Sequence, residues 1–428
     1  MSEPAAEVGR ASWRDLASRL AVDTTPLREH RDFRRLWIGQ SISFVGGEVT
    51  FVAMPFQVYA LTHSTLALGL FSLTQLVPLL TLTLVGGAFA DAFDRRRMLL
   101  VTETAEALAV GGLAVNAALP HPSVVALFAL ATIAAACFST GVGAIRSLTA
   151  RLVPPEDLAA ATALNGVYYG LGGVAGPAVA GLLIKGVGLD WAYALDAVSF
   201  LASVVALRGL PAMPPLGEVD RPSLRSILDG FRFVRGQKVI LGFFVVDTNA
   251  MIFGMPLALF PALAANRFGD PTAVGYLYAA PAAGALAASL GSGWVSHVRR
   301  QGVAVVVAAS TWGAAIAAFG FARSLWTALL LVALAGAADQ VSAIFRSTML
   351  LTLTPDELRG RVAGIEFMQV ASAPSLGNLE AGVLASLTSL RLSIVSGGIA
   401  CITACLLCAV AFPALIRYDS RAREPALP

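Results

Sequence analysis

The chain has 428 residues, 57% of them hydrophobic and 13% charged, with a mean hydropathy of +0.73. Soluble domains carry about 45–50% apolar and ~25% charged residues, so this composition excludes water as the main solvent and with it an ordinary soluble enzyme. The net charge of +3 gives no sign of a nucleic-acid partner; what informs in such a chain is which connections hold Lys and Arg.

Residues 1–35 are polar and charged and lack the apolar stretch of a cleavable signal, so they are expected to remain as a tail. Its last part, Arg28 to Trp37, reads as a basic lead-in at the membrane surface. Apolar runs bounded by Gly, Pro and charges predict spans near 36–61, 66–89, 98–119, 122–145, 159–184 and 190–208. A linker over 210–237 opens with prolines and continues as a basic stretch. Its Leu224, Ile227, Leu228, Phe231 and Phe233 suggest an amphipathic helix on the membrane. Further spans follow near 238–265, 272–295, 303–322, 325–346, 363–387 and 391–416, and 417–428 forms a second tail.

The expected architecture is therefore all-α: twelve transmembrane helices, in an N-terminal bundle over 36–209 and a C-terminal bundle over 238–416. With both termini in the cytoplasm, only Lys185, Arg267, Arg323 and Arg391 of the 30 Lys and Arg lie on the opposite side. The positive-inside rule favours that orientation, in a multi-pass cell-membrane protein.

The two bundles repeat each other. Ile145-Arg146-Ser147 with Pro155-Glu156-Asp157-Leu158 matches Phe345-Arg346-Ser347 with Pro355-Asp356-Glu357-Leu358 at an offset of 200. Met54-Pro55 matches Met255-Pro256 at 201, Gly176 and Gly181 match Gly377 and Gly382 at 201, and Pro78 matches Pro281 at 203. An even number of spans per copy makes the repeats parallel, related by an axis along the membrane normal with a substrate path between them.

Carboxylates inside spans are the first candidates for function, because an ionised group at the bilayer centre costs at least ~2.5–3.5 kcal/mol. Glu48 lies about 18 Å into span one from Leu36, and Asp247 about 14 Å into span seven from Lys238, at 1.5 Å per residue. Asp339 in span ten and Glu380 in the outer half of span eleven rank behind them. Glu103, Glu106 and Glu366 lie nearer the cytoplasmic arginines, where ion pairing is expected, and Asp196 is either a hydrogen-bonded core acid or a functional one. Low dielectric favours a neutral carboxyl, so proton and substrate can compete for one acid, which gives antiport. Glu48 is the expected main proton and substrate acid and Asp247 its assistant; the alternative is that Glu48 only bonds a neighbouring helix. Phe51, Phe56, Tyr168 and Tyr169 either line an apolar cavity or pack in the core. In span five, Gly172 and Gly176 allow close helix approach and Pro177 bends the helix, which together make a pivot or a simple packing seam.

The whole chain resembles the major facilitator superfamily, and within it the branch of drug and siderophore exporters that includes the enterobactin exporters. His30-Arg31-Asp32-Phe33-Arg34-Arg35-Leu36-Trp37 with Gln40-Ser41 is similar to that branch's entry to span one, and Thr354 to Val362 to its loop before span eleven. Gly87, Asp91, Arg95 and Arg96 match the superfamily's G-x-x-x-D-R-x-G-R-R loop, which implies a cytoplasmic gate. Ala92 replaces its first Arg and Asp94 its second Gly. Gly172, Gly176, Pro177 and Gly181 match the antiporter signature G-x-x-x-G-P-x-x-G-G, with Ala180 for one glycine, and imply export. The resemblance also places spans one and seven along the central path.

The expected function is thus secondary active transport: a proton-coupled antiporter, acting as a monomer, that exports a small amphipathic drug, siderophore or metabolite by alternating access. A proton-coupled importer and a non-transporting sensor are the rival readings. Catalysis is not expected, since no P-loop, H-E-x-x-H or G-x-S-x-G occurs. No metal or cofactor is expected either. Cys137 stands apart from Cys401, Cys405 and Cys408, and the four histidines, His30, His63, His121 and His297, fall in connections or tails.

Overall fold

The computed structural model describes residues 22–214 and 224–421, leaving out the side chains of 83–92, 146–147 and 224–227. The predicted spans appear as helices α1 (Arg31–Thr62), α2 (Thr65–Ala92), α3 (Arg95–Ala118), α4 (Val124–Leu152), α5 (Leu158–Gly186) and α6 (Leu189–Arg208). The second half holds α7 (Lys238–Phe253), α8 (Thr272–Leu290), α9 (Gln301–Phe319), α10 (Leu325–Leu353), α11 (Asp356–Leu387) and α12 (Leu390–Ala411). Eleven of the helices are long and apolar enough to cross a bilayer. The twelfth, α11, is long enough but carries Glu366, Gln369, Asn378 and Glu380, which interrupt its apolar stretch.

Helix ends follow local chemistry. Ser123, Ser324 and Ser389 cap α4, α10 and α12, each hydroxyl accepting from the backbone N–H three residues on, at 3.1–3.2 Å. His63 closes α1 in the left-handed conformation at φ 49°. Between the halves, a helix over Leu224–Gly236 lies against α11, where Asp229 sits 3.9 Å from Arg361. Leu228 and Phe231 on it are exposed.

The pairing of helices repeats between the halves. In the first, α1 packs on α5 and α6, α3 on α4 and α6, and α2 on α4; in the second, α7 packs on α11 and α12, α9 on α10 and α12, and α8 on α10. The same symmetry governs the seam, where α2 meets α11 and α5 meets α8. Close approach there depends on glycine. A Cβ on Gly181 would stand 2.7 Å from the Thr272 carbonyl of α8, and one on Gly382 would stand 2.6 Å from the Thr65 carbonyl of α2. Both crossings lie toward the face opposite the termini. The two side-chain polar links between halves among the described residues are there too: Asn266 Nδ2 donates to Tyr59 Oη at 2.6 Å, and Lys185 reaches Asp270 at 3.2 Å.

Two differences from the sequence reading matter. Spans four and ten were expected to end at 145 and 346, but α4 and α10 run on to Leu152 and Leu353, which carries Arg146 and Arg346 from the edges of their spans into the helices. Span seven, expected over 238–265, is broken after Phe253 and resumes as short helical turns from Leu257 to Phe268. Trp312 Nε1 donates to the Gly254 carbonyl at 2.6 Å, and Asn378 Oδ1 accepts from the Ala258 N–H at 2.9 Å. Backbone groups freed inside a membrane need such partners. The repeat-equivalent Pro55 stays within an unbroken α1, where no glycine precedes the Met-Pro pair.

Candidate functional site

The acids divide between the halves. On α1, Glu48 is half-buried and has no hydrogen-bond or ion-pair partner among the described residues. It stands directly across from α5, where a Cβ on Gly176 would overlap the Glu48 Cβ and come within 2.9 Å of the Val45 carbonyl. One turn earlier, a Cβ on Gly172 would meet the Phe44 ring at 2.5 Å. The next residues of the signature face another way, since the Pro177 carbonyl and Gly181 touch Gly275 of α8. One side of this segment therefore receives the acid-bearing helix of its own half, and the other side receives the opposite half.

The aromatic candidates sort by position. Phe44, Tyr168, Tyr169 and Trp37 form one cluster between α1 and α5, with ring centroids 4.2–6.1 Å apart. Tyr168 is buried within it, while Tyr169 is 49% exposed. Phe51, also 49% exposed, stands edge-on to Tyr278 of α8 at 5.6 Å, bridging the halves one turn beyond Glu48. Phe56 packs against the core.

In the second half Asp247 is buried and bonded on both oxygens. Arg346 of α10 forms an ion pair with Oδ1, and Gln369 Nε2 of α11 donates to Oδ2 at 3.0 Å and to the Phe244 carbonyl at 3.1 Å. Arg346 Nη2 also lies 3.8 Å from Asp339, whose side chain is 42% exposed, and Glu366 is near enough to interact with it electrostatically. An arginine with three carboxylates is thus embedded where α7, α10 and α11 meet. Arg346 is a candidate that the sequence did not single out, because it stood at the expected cytoplasmic end of span ten. The Arg-Ser pair repeated at offset 200 was the available signal.

Other expected residues lie elsewhere. Glu380 is half-buried on α11, beyond Gly377 toward the face opposite the termini. Glu103 is buried and accepts from Gln40 Nε2 at 2.7 Å rather than from an arginine, and the same amide nitrogen reaches Ser203 Oγ at 2.7 Å. Asp196 is 1% exposed and accepts from the Ser199 hydroxyl at 3.2 Å. Of the residues matching the superfamily loop, Gly87 and Asp91 fall in the stretch outside the described side chains. Arg95 is buried, and Arg96 donates to the Leu207 and Arg208 carbonyls at 2.8 Å, capping the end of α6. Asp94 caps α3, accepting from the N–H of Arg97 at 2.9 Å and of Met213 at 2.8 Å, which accounts for an acid where the superfamily loop has glycine. No cluster of His, Cys, Asp and Glu suited to a metal occurs among the described residues. A separate groove of about 460 Å³ beside Phe253 on the α12 face has an uncharged lining and lies away from these acids.

The chain as a whole is similar to known proteins. The family model described as transmembrane secretion effector matches residues 21–427. The enterobactin exporter EntS of Escherichia coli O1:K1 / APEC is 32% identical over 353 residues, covering 82% of this chain and 84% of that protein, as is the EntS of Shigella boydii serotype 18. Among solved structures, a bacterial homolog of the human lysosomal transporter Spinster, in an inward-facing and unoccupied conformation, superposes with TM-score 0.73 at 14% identity over 92% of this chain and 99% of that one. The nucleoside transporter NupG gives TM-score 0.72 at 14% identity, covering 90% and 99%.

Proposed function

Because this chain belongs to the transmembrane secretion effector family of the major facilitator superfamily, and so is an integral-membrane secondary transporter rather than an enzyme, we propose that it is a proton-coupled antiporter exporting a siderophore-like small molecule. The observation that carries the reading is the pairing of Glu48, an acid without a polar partner, with Gly176 of the segment that also holds α8. Protonation and ionisation of such an acid change its need for solvent and substrate, and its Cβ lies against Gly176 of α5, the helix that also packs on the opposite half.

The remaining residues take supporting roles in this reading. Arg346 pairs with Asp247 and fixes it beside Gln369 of α11, leaving the more exposed Asp339 available to substrate. Phe51, Tyr278 and Tyr169 offer apolar ring faces to an amphipathic cargo. With both termini cytoplasmic, the crossings of α5 on α8 and α2 on α11 seal the outer face, so the conformation is inward-facing and ready to load. Export is favoured over import by the 32% identity to enterobactin exporters.

The test uses inside-out membrane vesicles containing the protein, with enterobactin as the first probe. Acidifying the lumen should drive enterobactin inward, and an uncoupler should abolish the uptake. Accumulation only in right-side-out vesicles, driven by an inward proton gradient, would reverse the direction.

A further inference from the structure

On the face opposite the termini, the turn Ala264–Phe268, the connection from α9 to α10 and the start of α12 surround a cavity of about 190 Å³ lined by Arg267, Gly320, Phe321, Ala322, Arg323 and Arg391. Half of its lining is arginine and none is acidic. Arg267 is half-buried and donates Nη1 to the Ala322 carbonyl at 3.2 Å and Nη2 to the Gly320 carbonyl at 3.3 Å. The Arg391 guanidinium lies 4.4 Å from the centre of the Phe321 ring. Arg323 and Arg391 are exposed, and among the described residues no carboxylate pairs with any of the three. Asp270, the acid nearest in sequence to Arg267, is committed to Lys185 and to the Thr272 N–H at 2.9 Å.

Such crowding runs against two physical preferences. Arg391 is the second residue of α12 and Arg323 directly precedes Ser324, the cap of α10, so both cations sit at helix N-termini, where the dipole favours negative charge. Arginine is also sparse on this side, as the four-residue inventory from the sequence indicates, yet three of those four meet in one cavity. An anion relieves both conflicts, and guanidinium forks fit the oxygens of phosphate better than a point cation would.

We propose that this pocket binds a phosphate group, carried by an anionic phospholipid headgroup or by a free phosphate ion. Phe321 and Trp326 are 54% and 76% exposed at the same end and give the lipid form an interfacial apolar contact. The site also bears on the outer seal. Arg267 belongs to the turn Ala264–Phe268, whose Asn266 bonds Tyr59 of α1, and Asp270 just beyond it meets Lys185 of α5. A phosphate held by Arg267 fixes the segment that ties the two halves together.

The experiment titrates the purified full chain in detergent with short-chain phosphatidylglycerol, short-chain phosphatidylcholine or inorganic phosphate at constant ionic strength, reading the thermal midpoint and, by native mass spectrometry, bound lipid. The double variant Arg323→Gln/Arg391→Gln alters only exposed side chains and should fold normally. Saturable stabilisation by phosphatidylglycerol and not by phosphatidylcholine, with apparent affinity at least about tenfold weaker in the variant, supports the lipid form; an equal response to inorganic phosphate identifies the free ion. The same response to phosphatidylglycerol in wild type and variant, or no response to either phosphate source, overturns the site.

Discussion

Arg346 and Asp247 are both buried, and each is the other's charge partner. Taking one away leaves the other uncompensated in low dielectric, which typically costs about 3–5 kcal/mol, whereas removing both is far milder. Arg346→Gln should therefore lower unfolding stability in detergent by that amount, and Asp247→Asn added to it should recover most of the loss. A single variant as stable as wild type would mean that the pair carries no structural weight. Glu48 lacks such a partner, which is why its neutralisation should spare the fold. Its depth could be counted along span one directly from the sequence. The state of Asp247 could not, since its arginine comes from a helix about one hundred residues away and Asp339 and Gln369 are gathered only by packing.

At the level of the helix, α5 is constrained from two sides. Gly176 has no room for a side chain against Glu48 and Val45, so Gly176→Ala should cost about 1–3 kcal/mol through overpacking and slow transport. Gly186→Ala on the same helix, where an added Cβ meets nothing within 4 Å, should leave both unchanged. Equal effects at the two positions, in thermal stability and vesicle transport, would remove the special role of Gly176. Small-xxx-small spacing made this segment readable in the sequence, but whether it packed within its half or across the seam was not, because both need the same residues. The ends of α4 and α10 were missed for a related reason. Arginine normally marks the edge of a span, and here Arg346 is kept inside by its acids.

For the whole molecule, the contact between halves on the face opposite the termini rests on glycine crossings reinforced by the Asn266–Tyr59 hydrogen bond and the exposed Lys185–Asp270 pair. The Thr272 N–H, together with Lys185, holds the Asp270 carboxyl below its ordinary 3.8. A depressed value means the link contributes above the ordinary carboxylate range and is lost only as pH falls through the lowered pKa, so neutral and mildly acid media leave it intact. An exposed pair of this kind is worth about 0.2–1 kcal/mol. Asp270→Asn should hence alter transport little, while a disulfide between Lys185→Cys and Asp270→Cys should stop it reversibly; continued turnover in the oxidised state would show that the halves do not separate there. The twofold repetition behind this picture was legible in the offset of 200 to 201. The break in α7 was not, because Met-Pro occurs in both halves and only Gly254, Trp312 and Asn378 distinguish the second.

Coupling of proton movement to export through Glu48 can be read in proteoliposomes carrying wild type or Glu48→Gln, with enterobactin as substrate. Counterflow, which needs no net proton transfer, should survive in the variant, and accumulation driven by a pH gradient should be lost. Gradient-driven accumulation at the wild-type rate in Glu48→Gln would contradict the account.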